Sequence, residues 1–223
     1  MKQSFLILIV LAAVVVAAAL LRPTTGEHNT QAIAGLPWQI EILPDGHSRV
    51  FGLTLDTSTL ADARERFGTD MEVAVIAAPG EAGSLEAYYP QVTAGVLTGK
   101  MILTAALDKK SVEGMRQRAV KKQHMESSTR KFSLDPDDLA QAYDTPIGSI
   151  TFIPSASFDA DIAVSHFGQP AERIRSSAQV EHLLYPTKGL ALTLDSEGKE
   201  ILQYVTPKQF ARLRDPLFNK APR

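Results

Sequence analysis

The chain has 223 residues, with 23 Lys+Arg against 25 Asp+Glu and a formal charge of −2. That length gives one domain or two small ones, and a balance this close to neutral excludes a strongly basic nucleic-acid-binding face as the default. There is no cysteine, which excludes disulfides, thiolate catalysis, iron–sulfur clusters, cysteine-ligated zinc and a lipidated-cysteine anchor.

Residues 5–21 (FLILIVLAAVVVAAALL) are an unbroken apolar run between Lys2 and Arg22-Pro23. As a helix the run spans about 25 Å at ~1.5 Å per residue, the lower limit for crossing a membrane. Two readings compete: an uncleaved signal anchor over 1–22 with Lys2 inside, or a signal peptide cut after Ala19 in a small-residue site. The apolar run continues past that site through Leu20 and Leu21, which favours the anchor. Either reading exports the body, most simply to a bacterial periplasm, with a single pass through the inner membrane in the first case. Residues 23–35 are polar and aperiodic, a tether in which His28 is solvated.

The first α+β unit is expected over 36–107. Trp38-Gln-Ile40-Glu-Ile42 alternates apolar and polar, the period of a half-buried strand. Pro44-Asp45-Gly46 is a turn, since Pro presets φ and Gly accepts a positive φ. Val50–Leu55 returns as the second strand of a hairpin. A helix follows, capped by Thr59 with Asp62 at N3, with Leu60, Ala63, Arg64 and Phe67 on one face and ending at Gly68. Ser84–Val92 and Gly95–Leu107 read as two more strands.

Residues 108–148 form a basic connector, read as a solvated helix over 108–131 with a thin apolar stripe of Val112, Met115 and Ala119. Its cations Lys109, Lys110, Arg116, Arg118, Lys121 and Lys122 are the candidates for contact with a partner or with lipid headgroups. Asp135-Pro136 then opens a short helix through Tyr143, with Asp135 as cap and Asp137 and Asp138 complementing the dipole.

The second unit is expected over 149–210, followed by a tail at 211–223. Ser149–Ile153 is a strand, Ser157 caps a helix with Asp159 and Asp161 in its first turn, and Phe167-Gly168 ends it as Phe67-Gly68 ends the first. Val180–Pro186 matches Leu85–Pro90 in pattern and in its terminal Tyr-Pro. Gly189–Leu194 matches Gly95–Thr104, and Asp195–Lys199 turns into Ile201–Val205. The fold class is therefore α+β: two repeated strand–helix–antiparallel sheet units behind an N-terminal anchor helix, with Phe67, Gly68, Phe167 and Gly168 as structural markers. Both Phe side chains are expected in the core and both glycines at positive φ.

This unit resembles the small outer-membrane assembly lipoproteins of the BamE-like (SmpA/OmlA) family. Gly52-Leu53-Thr54 stands at the family's Gly-Met-Thr-like opening. Phe167-Gly168-Gln169-Pro170 stands at its helix end, and Leu192–Lys199 at its final hairpin. The likeness covers residues 48–107 and 149–206. It implies an α+β fold and an envelope setting. The family carries one copy and a lipidated cysteine, whereas this chain reads as two copies and has no cysteine.

Signatures for catalysis are sparse. No G-x-G-x-x-G, P-loop, H-E-x-x-H or G-x-S-x-G is present. Ser128-Thr-Arg-Lys131 matches S-x-x-K without the K-T-G that accompanies it. The histidines His28, His47, His124, His166 and His182 do not pair at metal spacing. Asp159 and Asp161 are explained by the helix dipole. The expectation is thus no catalytic residue, cofactor or metal, and no nucleic acid. The function expected is that of a membrane-anchored periplasmic binding, scaffolding or assembly-supporting module, with another envelope protein as partner and the inner membrane held through residues 5–21. The alternatives are a periplasmic enzyme with a site between the units, marked by a cleft holding His166, His182 and several carboxylates, and a small-ligand or lipid-binding protein, marked by an apolar cavity between sheet and helix.

Overall fold

The structure, a computed structural model, describes residues 35–125 and 129–219. The anchor and its cleavage alternative, almost all of the tether with His28, and Ser128 of the S-x-x-K pattern lie outside the described residues. Among the described residues no helix is long and apolar enough to cross a membrane.

The fold is α+β. A three-stranded meander, β1 (Glu41–Ile42), β2 (Ser48–Val50) and β3 (Leu53–Thr54), precedes helix α1 (Leu60–Phe67). Strands β4 (Glu72–Ala77), β5 (Ser84–Ala94) and β6 (Leu97–Ala105) follow, then α2 (Lys109–Arg118), β7 (Lys121–His124), β8 (Arg130–Ser133) and α3 (Pro136–Tyr143). The remainder is β9 (Ile147–Pro154), α4 (Ala160–Phe167), β10 (Glu172–Arg175), β11 (Val180–Tyr185), β12 (Leu190–Asp195), β13 (Ile201–Tyr204) and α5 (Ala211–Asn219). Ten strands form one sheet in the order β10-β11-β12-β13-β9-β6-β5-β4-β8-β7, and every neighbouring pair is antiparallel.

The main core lies on one face of this sheet. Leu60 and Ala63 of α1, Val112 and Met115 of α2, Ala142 of α3, and Ala163 and Phe167 of α4 bury there with Val75, Leu85, Tyr89, Met101, Phe152 and Leu183. On the other face α5 closes a smaller cluster, setting Leu213 and Leu217 against Leu184, Ala191, Val205 and Phe210. Adjacent residues Leu183 and Leu184 thus serve opposite cores, as strand alternation requires.

Helices α1 and α4 are built alike. Thr59 accepts from the Asp62 N–H and completes a capping box, and Asp159 accepts from the Ile162 N–H. Gly68 and Gly168 end them at φ 95° and 80° with ψ near 180°. This is not the left-handed helical cap but the extended positive-φ region that only glycine occupies readily. The hydroxyl of Tyr89 donates to the Gly68 carbonyl at 3.4 Å, and that of Tyr185 to the Gly168 carbonyl at 3.1 Å. Each helix is followed by an antiparallel meander, β4-β5-β6 and β10-β11-β12.

Five expectations are corrected. The half-buried strand expected over Trp38–Ile42 forms only at Glu41–Ile42, both exposed, because residues 36–40 turn, with the Gln39 N–H donating to the Leu36 carbonyl at 3.0 Å. The strand expected over Val50–Leu55 breaks at Phe51-Gly52, where both residues have positive φ (56° and 77°), so the hairpin becomes a meander. A two-residue turn with both φ positive matches strand twist, and the buried Phe51 ring, 5.3 Å from Phe152 and 5.4 Å from Tyr204, offsets the strain of a non-glycine there. The basic helix stops at Arg118. Its remainder pairs as β7-β8, and β8 joins β4, with Phe132 opposite Val75. Asp159, not Ser157, caps α4. Phe167 is buried but Phe67 only half so, because Trp38 stands edge-on to Phe167 while Phe67 carries the Arg66 guanidinium over its ring. Beyond these, β4, β10 and α5 formed where no element was expected.

Candidate functional site

An apolar slot of about 200 Å³ opens between α4 and the sheet. Its floor is Phe152 of β9 and Leu202 of β13, its wall is Ile162, Ala163 and Phe167 of α4, and its rim is Trp38 and Phe158. Each part has a local cause. The small side chain of Ala163, fully buried, lets the helix approach the strands. The Asp159 cap fixes where α4 starts, which places Ile162 on the open side with 45% of its surface exposed. Trp38 is held by its neighbour, since the buried Tyr204 hydroxyl donates to the Pro37 carbonyl at 3.0 Å. Burial raises the Tyr204 pKa well above its ordinary value, so this hydroxyl stays a donor. The Trp38 ring stacks on His166 at 3.9 Å with 16° between planes. The stack fixes the His166 ring at the last turn of α4.

The histidines do not meet. His166 sits on the rim of the slot, whereas His182 lies on the face of β11 that Leu184 shares with α5. His182 is 8% exposed, with Nε2 3.0 Å from Ser176 Oγ and Nδ1 2.9 Å from Thr193 Oγ1. No group of three or more His, Asp or Glu side chains among the described residues is placed to hold a metal ion.

The candidate contact cations fall into two sets. Arg118 bonds Asp138 through Nε at 3.0 Å and a second nitrogen at 2.6 Å, which raises the Arg118 pKa, and Arg116 bonds Glu113 and the Glu81 carbonyl. Lys122 lies over the Phe132 ring. Lys109, Lys110 and Lys121 are exposed on α2 and on the edge strand β7. The six therefore do not form one uncommitted patch.

Comparison with known proteins finds no family model, no curated protein and no solved structure that matches this chain. The site accordingly rests on its own geometry: an apolar recess with aromatic side chains on its floor, wall and rim, bounded on one side by α4 and open to solvent. Sequence reasoning placed Trp38 and Phe158 in no site. The signal for Trp38 was its isolation, a single tryptophan at the start of the folded part. The slot itself needs β9, β13 and α4 together, three segments whose adjacency no local pattern states.

Proposed function

We propose that this chain is an envelope protein held in the inner membrane by residues 5–21, whose periplasmic body is a non-enzymatic module that binds another envelope protein. The apolar slot beside α4 lies where a small-ligand cavity was expected, but at about 200 Å³ it is smaller than the roughly 300–1,000 Å³ of such pockets. This size, suited to one side chain, is the observation that carries the reading. A recess with Trp38, Phe158 and Ile162 at its mouth takes an apolar side chain of a partner, in the manner of an anchor residue filling a pocket. Exposed Lys109, Lys110 and Lys121 are set to meet anionic headgroups or an acidic surface of that partner. We further read the body as a duplication. The paired Phe-Gly helix ends, the paired Tyr-to-glycine hydrogen bonds and the two helix-then-meander orders support it, and the first and last of these are what the resemblance to the BamE-like lipoproteins implies.

A photo-crosslinking residue at Ser157, an exposed position on the slot's wall, tests the reading in intact cells. The expected result is one discrete adduct to an envelope protein, lost with Ile162→Asp. No adduct, or one indifferent to Ile162→Asp, overturns it.

A further inference from the structure

Next to the apolar slot lies a second, larger recess of about 530 Å³ under the N-terminal end of α4. The two share Ser157, Phe158 and Ile162 in their walls. Four carboxylates line the second recess, Asp159, Glu181, Asp195 and Glu200, against the single guanidinium of Arg175. Three of the four have assigned tasks. Asp159 caps α4, Glu181 pairs with Arg173 at 3.6 Å, and Asp195 accepts from the Glu197 N–H at 3.0 Å.

Glu200 differs from them. It is only 5% exposed. Its Oε1 accepts from the Phe158 N–H at 3.2 Å, and its Oε2 is buried with no hydrogen-bond partner among the described residues. A buried carboxylate oxygen left unpaired is costly, and such a group calls for a donor to complete it, whether water, an ion or a ligand. The group it accepts must be a hydrogen-bond donor, and the surrounding charge calls for a cation. Among the described residues three metal-ligating side chains do not converge here, so the acidic lining suits an organic cation better than a metal ion. An ammonium, with three donors and a compact charge, matches one unpaired acceptor beside further carboxylates, reached by a small turn of the Glu200 side chain toward the recess. The wall shared with the slot sets the rest of the ligand, because a chain leaving the ammonium runs along Phe158 and Ile162 into apolar surroundings.

We infer that the two recesses form one amphipathic site for an alkylammonium group, with the ammonium on Glu200 and the alkyl part in the slot. This rests on the binding reading above and deepens it: the partner's anchor is a lysine side chain or a neighbouring apolar and lysine pair.

The test uses the full-length chain in lipid nanodiscs and follows fluorescence of Trp38, the single tryptophan, while hexylammonium or hexanol is added. Hexylammonium is expected to bind about tenfold or more tighter than hexanol, as one charge-assisted hydrogen bond supplies. Glu200→Gln, which retains an acceptor for the Phe158 N–H, is expected to erase that preference while leaving hexanol unchanged. Equal binding of amine and alcohol to the unaltered chain overturns the inference and leaves the apolar slot standing. No response to either overturns the slot as well. An amine preference that survives Glu200→Gln overturns the assignment to that carboxylate. A Gly/Ser heptapeptide with one central lysine decides the source: competition with hexylammonium places the ammonium on a polypeptide, and lack of competition places it on a free amine.

Discussion

At the residue scale, Phe67 and Phe167 occupy matching places and are not matched in burial. Both rings approach a tyrosine, Tyr89 at 5.9 Å and Tyr185 at 6.0 Å. Phe167 in addition meets Trp38 at 6.4 Å and is 3% exposed. Removing a fully buried Phe costs the transfer of its surface and leaves a cavity, roughly 3–5 kcal/mol, and a half-exposed one costs less because water already reaches it. Phe167→Ala is therefore expected to lose about 3–5 kcal/mol in urea unfolding, and Phe67→Ala clearly less. Equal losses would show that the Trp38 side of the slot contributes nothing to the packing of α4.

At the scale of elements, β5 runs through the middle of the sheet's first half with one face in the core and the other more open. On the latter face Glu86 is half-buried beside Tyr88, Lys100 and Ile102. Burial raises its pKa above the ordinary 4.5, and a 2.6 Å bond from the Ser84 hydroxyl pulls it partly back. Because the folded chain then holds this proton more strongly than the unfolded chain, Glu86 favours the fold below about pH 4.5 and opposes it as pH rises through the folded value. Glu86→Gln is expected to raise the melting temperature at pH 7, with the gain vanishing near pH 4, as thermal unfolding across that range will show. Elements with strong local signals were legible in the sequence. The Thr59–Asp62 box, the Asp135-Pro136 start and the long apolar β5 and β6 needed only their own residues. The hairpin β7-β8 was not, because Lys121–His124 and Arg130–Ser133 have little strand propensity and pair only because β4 offers an edge, a tertiary override. Strand β4 and helix α5 were legible but passed over: Val73, Val75 and Ala77 alternate, and Phe210, Leu213 and Leu217 stand at helical spacing. The slot's floor and the unpaired oxygen of Glu200 are properties of assembled segments and have no local signature.

At the scale of the whole molecule, the anchor reading has a direct outcome. The protein is expected to stay in the membrane pellet after carbonate washing with its N-terminus at Met1 or Lys2, as fractionation and N-terminal sequencing will show. A soluble chain beginning at Leu20 would assign the run to a cleaved signal. The position of β9, hydrogen-bonded to β6 on one side and β13 on the other, has a consequence for synthesis. When the chain has emerged as far as Pro154, β9 can close onto β6, but its other edge has no neighbour until Ile201–Tyr204 exist. At about 5–20 residues per second that interval lasts several seconds. During it, a strand with Ile150 and Phe152 in the eventual core presents an open edge, the condition under which nascent chains pair wrongly. A nascent chain that stalls before residue 201 is thus exposed to aggregation, and the last quarter of the sequence completes the sheet as well as adding to it.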